Sequence, residues 1–125
     1  MKIRLVLAAL GVMGLSIASH AQDAEQGAKV FKKCMTCHTA DDTTNKIGPS
    51  LKGVVGRKAA SVQGYKYSDA MLAKGTAGVI WDEATLTAYL PDPKSFVPGT
   101  KMTFPGLKNP EDVANVIAYL KTKGM

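Results

Sequence analysis

Histidine and cysteine are scarce, two of each in a chain of 125 residues. His20 lies near the N-terminus, which leaves His38 as the only histidine beyond residue 21. A three-histidine zinc site is therefore excluded, and a Ser-His-Asp triad has only His38 to draw on. Arginine is as rare. Past residue 21 only Arg57 remains, and no basic run is interleaved with aromatics, which argues against a nucleic-acid surface. Long apolar runs are missing too: Leu5 to Ile17 has 13 residues, against the roughly 20 that a spanning helix needs. Strand-like alternation is absent, and a chain this short holds one domain, so a doubly wound sheet with a second catalytic domain is excluded.

What is present begins with Lys2 and Arg4 ahead of the apolar run, followed by small residues at Ser19 and Ala21. A positive start, a short apolar middle and a small-residue exit describe a secretory signal peptide over residues 1–21, cleaved after Ala21. Residues 22–125 then form the single domain, with no stable membrane anchor. That domain has 104 residues, and its 14 cationic against 10 acidic side chains leave a charge of +4. Export places it in the periplasm.

Helical signals recur along it. Asp23 followed by Gln26 resembles a capping box, and Ala24, Ala28 and Phe31 recur at helical spacing, so a first helix should run into Cys34. Residues 39–67 show no sustained period and read as loop. Ser68 to Lys74 fits a short helix stopped by Gly75. Asp82 caps a helix bearing Leu86, Tyr89 and Leu90, and Pro91 stops it. In the last helix Asn109 caps, Pro110 takes the first helical position, and Val113, Val116, Ile117 and Leu120 form the buried stripe. The expected class is all-α, with three to five short helices and long loops. Pro91 to Lys108, with four prolines, reads as a structureless loop of a length that needs a purpose. Short helices also bury too little apolar surface among themselves to offset chain ordering. Something else should fill the centre.

Cys34-Met35-Thr36-Cys37-His38 names the filling. C-x-x-C-H is the attachment signature of c-type haem, in which two thiolates add to the vinyl groups and the adjacent imidazole meets the iron. A thioredoxin-like pair would need strands, and a zinc site would need further ligands. A simple disulfide between Cys34 and Cys37 stays open as the alternative.

From these residues the chain resembles a class I c-type cytochrome, the small soluble cytochrome c of bacterial periplasm and mitochondria. The resemblance covers nearly all of residues 23–123. Its ordered segments are Gly27 to Phe31 ahead of the motif, Gly48-Pro49-Ser50-Leu51, Gly53 to Lys58 and Tyr65 to Ala70. Ile80-Trp81, Leu86 to Leu90, Pro93-Lys94, Pro98 to Met102 and Ile117 to Leu120 complete them. The resemblance implies a small cytochrome c fold wrapped around one covalently attached haem c, bound through Cys34 and Cys37.

Beyond residue 21, Met35 lies inside the motif, Met71 in a helix and Met125 at the end. Met102 alone sits in the long loop, where it either binds iron or plugs the loop against the core. The resemblance implies that His38 and Met102 are the axial ligands and that Pro49 accepts the imidazole N–H. It further implies that Tyr89 bonds the distal sulfur and that Arg57, Tyr67, Trp81 and Thr100 reach the haem propionates. Phe104 is counted among the haem-contacting residues as well. Gly27, Phe31 and Tyr119 are read as the contact where the first and last helices cross. In one departure, Met71 stands where mitochondrial members carry asparagine, so their internal water network is not expected here.

With both axial positions filled and no general base left over, the expected role is a diffusible, monomeric one-electron carrier rather than an enzyme. A haem enzyme with an opened distal position is the rival reading, and a cofactor-free disulfide module is a third. The carrier would shuttle electrons between respiratory or photosynthetic complexes or dehydrogenases and an oxidase or reductase. Lys33, Lys46, Lys94, Lys101 and Lys108 are expected around the haem edge, facing acidic docking patches on a cytochrome bc complex, a terminal oxidase or a periplasmic dehydrogenase.

Overall fold

The computed structural model describes Gly11 and residues 22–124; the expected signal peptide lies outside the described residues. In chain order the helices are α1 (Ala24–Phe31), α2 (Asp69–Thr76), α3 (Glu83–Tyr89), α4 (Pro93–Phe96) and α5 (Pro110–Lys121). Among the described residues there is no strand, only an isolated bridge between Lys58 and Ile80. The all-α expectation holds.

Each helix starts on an oxygen that satisfies free N–H groups of the first turn. Asp23 accepts from Glu25 and Gln26, Ser68 from Met71, Asp82 from Thr85, Asp92 from Ser95 and Asn109 from Glu111. Two expectations are corrected. Gly75 does not stop α2, which continues to Thr76. Gly75 is buried inside the last turn because a Cβ there would lie 2.7 Å from the Ala59 carbonyl oxygen. Gly78, at φ +81°, takes the left-handed position that ends the segment. The stretch from Pro91 to Lys108 is not wholly structureless either, since Asp92 and Pro93 start the four-residue α4 within it.

α1 and α5 cross and carry most of the packing. Gly27 sits at the crossing, where a Cβ would lie 2.7 Å from Tyr119 Cβ and collide with the Asn115 carbonyl. The Asp23 N–H donates to Asn115 Oδ1 at 3.0 Å, and the rings of Phe31 and Tyr119 pack 5.2 Å apart. The stripe Val113, Val116, Ile117 and Leu120 is buried against Val30 and Phe31, in one core with Trp81, Leu86, Tyr89, Val97 and Leu107. The long loop between α1 and α2 is tied down at both ends of that core. Gly53 N–H donates to Lys123 O at 2.7 Å, and Trp81 exchanges backbone bonds with Gly56 and Arg57 at 2.8 Å each. The segment after α4 returns to α3 through Leu107 N–H to Leu90 O at 2.8 Å.

Candidate cofactor site

After Phe31 the chain continues in helical turns through the motif, with Cys34 N–H bonded to Phe31 O and His38 N–H to Cys34 O. These bonds hold Cys34, Cys37 and His38 on one wall. Both thiols are free and half-buried, so the disulfide alternative does not describe this structure. Burial raises the Cys34 thiol pKa, the neighbouring Cys37 adds to the rise, and Lys33 opposes it.

His38 is held from two sides. Its Nδ1 donates to the Pro49 carbonyl at 2.7 Å, which leaves Nε2 uncommitted. Gly48 lies against the ring, where a Cβ would stand 2.6 Å from Nδ1 and 2.8 Å from Nε2. Burial lowers the imidazole pKa, an effect the Pro49 bond opposes and the charges of Arg57 and Lys46 reinforce. The neutral ring is the form that binds metal.

Facing this wall is a cavity of about 560 Å³, inside the range of cofactor sites. Cys34, Cys37, His38, Pro49, Arg57, Tyr67, Trp81, Tyr89, Thr100, Met102 and Phe104 all line it, so every residue assigned to haem or iron contributes to one cavity. The long loop's purpose is thereby visible: it carries Thr100, Met102 and Phe104 across the open side. The Tyr89 hydroxyl donates to Met102 Sδ at 3.7 Å. Burial pushes the Tyr89 phenol up to about 12, so it stays a donor throughout the physiological range.

The residues present fit a haem. Two free thiols, an imidazole with one nitrogen free and a thioether share a predominantly apolar wall. Arg57 supplies an independent indication. Its Nη1 donates to the Ser50 and Lys52 carbonyls at 2.9 and 3.2 Å, while Nε is buried with no partner. Burial lowers its pKa, and no carboxylate pairs with it among the described salt bridges. A half-buried guanidinium whose buried Nε has a donor to spare suits an anionic group such as a propionate.

The lysines divide. Lys33 and Lys101 line the cavity, whereas Lys46, Lys94 and Lys108 do not. Lys46 Nζ donates to Met35 O at 2.7 Å and Lys108 Nζ to Pro91 O at 2.6 Å. Lys101 Nζ bonds the Lys66 carbonyl and lies 5.2 Å from the centre of the Tyr65 ring. These ammonium groups are thus pinned close to the cavity's rim segments while remaining exposed. Sequence reasoning missed much of the apolar lining, above all Leu51, Val54 and the exposed Ile47. Helical spacing marked Leu86, Val116 and Leu120 as buried, but core-facing and cofactor-facing positions share that spacing.

Short helices enclosing an apolar cavity with C-x-x-C-H on its wall define a haem-binding, electron-transferring class. Comparison with known proteins agrees. The chain is 53% identical to cytochrome c2 iso-2 of Magnetospirillum molischianum over 92 residues, 74% of this chain and 92% of that protein. It is 49% identical to cytochrome c2 of Rhodomicrobium vannielii over 122 residues, 97% of this chain and 95% of that one. Cytochrome cH from Methylobacterium extorquens superposes with a TM-score of 0.74 at 50% identity, covering 81% of this chain and 99% of that one. The family model for cytochrome c matches residues 24–123, and the chain belongs to the cytochrome c family. It accordingly carries covalent haem c, with Cys34 and Cys37 fitting the attachment motif, and it is an electron carrier rather than an enzyme.

Proposed function

We propose that this chain is an exported periplasmic carrier that passes one electron at a time between redox proteins, its iron held by His38 and Met102. The observation that carries the reading is the pairing of two restrained ligands on one cavity, His38 held by Pro49 at 2.7 Å and Met102 by Tyr89 at 3.7 Å. When bound, the haem supplies a one-electron iron couple. The chain's own residues do the rest. Pro49 fixes the imidazole tautomer, leaving Nε2 for the metal. Tyr89 orients the thioether, a ligand that raises the potential. Arg57, Tyr67, Trp81 and Thr100 serve the propionates, with Arg57 providing the charge. Held by both His38 and Met102, the iron would keep no site open for oxygen or a substrate, which suits a carrier.

Export is supported by the leader-like residues 1–21 and by the Rhodomicrobium vannielii relative, whose alignment over 97% of this chain takes in that segment. No helix among the described residues is long and apolar enough to cross a membrane. The partners we propose are redox proteins presenting acidic patches: a cytochrome bc complex on one side, a terminal oxidase or periplasmic dehydrogenase on the other. Lys33, Lys46, Lys94, Lys101 and Lys108 form the docking face.

The test is Met102→Ala in the haem-loaded protein. The haem should stay attached through denaturing electrophoresis, the thioether-to-iron charge-transfer band should vanish, the potential should fall, and added cyanide should bind. Persistence of that band in Met102→Ala, with its loss in Met71→Ala, refutes the ligand assignment.

A further inference from the structure

We propose that Asn45 is a positioning residue for His38 that acts through one peptide unit. By accepting the Ser50 N–H, it makes the Pro49 carbonyl a stronger partner for the imidazole. The inference rests on the assignment of His38 as axial ligand.

The Pro49 C=O and the Ser50 N–H belong to one planar peptide group, and both are engaged. The carbonyl takes the His38 Nδ1–H at 2.7 Å, and the N–H donates to Asn45 Oδ1 at 2.9 Å. Asn45 Nδ2 in turn donates to the Gln63 carbonyl at 3.2 Å. These partners fix the orientation of the Asn45 amide, since the Ser50 N–H needs its oxygen and the Gln63 carbonyl its NH₂. Hydrogen bonds therefore run in series from Gln63 through Asn45 and the peptide to His38.

The placement of this segment does not depend on Asn45. Gly48 N–H donates to Cys37 O at 2.8 Å and Leu51 N–H to Thr39 O at 2.7 Å, which ties both ends to the attachment motif and the residue after it. Arg57 Nη1 holds the Ser50 carbonyl at 2.9 Å. What Asn45 supplies is an acceptor for the peptide N–H of a residue only 3% exposed. Its effect on His38 is therefore electronic. A peptide N–H that donates shifts charge onto its own carbonyl oxygen, and bonds in such a chain reinforce one another. The stronger carbonyl draws on the Nδ1 proton and raises the basicity of Nε2. A more basic imidazole stabilises oxidised iron, so Asn45 moderates the rise in potential that the thioether brings.

The experiment compares Asn45→Leu and Asn45→Asp in the haem-loaded protein, by proton resonances of His38 in the reduced, diamagnetic state and by potentiometric titration. Leucine has a similar size and no acceptor. Its His38 Nδ1–H resonance should move upfield, and the oxidised-to-reduced equilibrium should shift about twofold toward the reduced form, a fraction of the effect of one hydrogen bond. Aspartate keeps the acceptor oxygen and loses the bond to Gln63, so its Nδ1–H resonance should stay at or downfield of the wild-type position. If Asn45→Leu does not mature, Asn45→Val removes the same acceptor in a smaller volume. An unmoved Nδ1–H resonance or an unchanged potential in the apolar variant would overturn the inference. Equal upfield shifts in Asn45→Leu and Asn45→Asp would overturn it too, by showing only a bridge between loops. The two assignments fail separately. His38 ring protons without the large ring-current shift of a haem ligand sink the axial assignment, whereas ligand-like ring protons with an unmoved Nδ1–H sink only the role of Asn45.

Discussion

Replacing Gly27 by alanine sets two effects of opposite sign against each other at the crossing of α1 and α5. Helix propensity favours alanine over glycine by about 1 kcal/mol in a helix interior. Against this stands the contact geometry. The new Cβ would lie 2.6 Å from the Asn115 carbonyl carbon and 2.7 Å from Tyr119 Cβ, and nearer still to the Asn115 oxygen. Backbone cannot rotate away as a side-chain tip can, so the helices must part by roughly 1 Å to restore van der Waals separation. Overpacking of this kind costs about 1–3 kcal/mol, and a clash with backbone belongs at the upper end. Parting the helices also loosens the Phe31–Tyr119 pair, now 5.2 Å between centroids, which adds about 0.5–1.5 kcal/mol. The net expectation is a loss of about 3 kcal/mol, a factor of roughly 150 in the folding equilibrium. For a domain of this size that lowers the midpoint by about 15 °C. The assay is thermal unfolding of the haem-loaded protein followed by far-ultraviolet circular dichroism, with the reduction potential as a control, because Gly27 is absent from the cavity wall. An unchanged or raised midpoint would refute the packing argument and leave propensity as the dominant effect.

Three further outcomes are expected. Gly48→Ala forces its Cβ against the His38 ring, 2.6 Å from Nδ1. It should weaken the Pro49 bond and cost about 1–3 kcal/mol while the thioether links persist; a variant with wild-type stability and Soret spectrum would show that the ring has room to move. Lys94→Glu with Lys101→Glu should slow bimolecular transfer to a natural partner and flatten its salt dependence at nearly constant potential, whereas Lys121→Glu, whose ammonium pairs with Glu83 instead, should do little. Equal slowing by both would reduce the effect to net charge. The Asp82 carboxyl is held below its ordinary pKa, first by the Thr85 backbone N–H. Its stabilising contribution is therefore complete above the unfolded carboxylate value of about 3.9 and is lost as pH falls through the lower folded value. Asp82→Asn retains an N-cap without the titration, so its acid unfolding curve should be less steep; coincident curves would contradict the linkage.

The helices and the haem were legible from local chemistry. Caps such as Asp23, Asp82 and Asn109, Pro110 at the first position of α5 and the stripe from Val113 to Leu120 act within a few residues of where they stand. C-x-x-C-H places both thiols and the imidazole within five consecutive positions, so the sequence by itself determined the cofactor and its anchor. Met102 was reached by elimination, and resemblance gave it a role. What lies far apart along the chain was decided only by tertiary structure. Gly75 reads locally as a helix stop, yet the Ala59 backbone packed against it makes it an interior residue, and the stop passes to Gly78. The Tyr89 hydroxyl meets Met102 across 13 positions, and the partnerless Arg57 Nε becomes informative only once burial is known. Whether an apolar side chain faces another helix or a cofactor has no signature in periodicity, because both environments exclude water and select the same residues. The folded arrangement of α2, α3 and the Met102 loop is what turns Met71 from a helical methionine into part of the cavity wall.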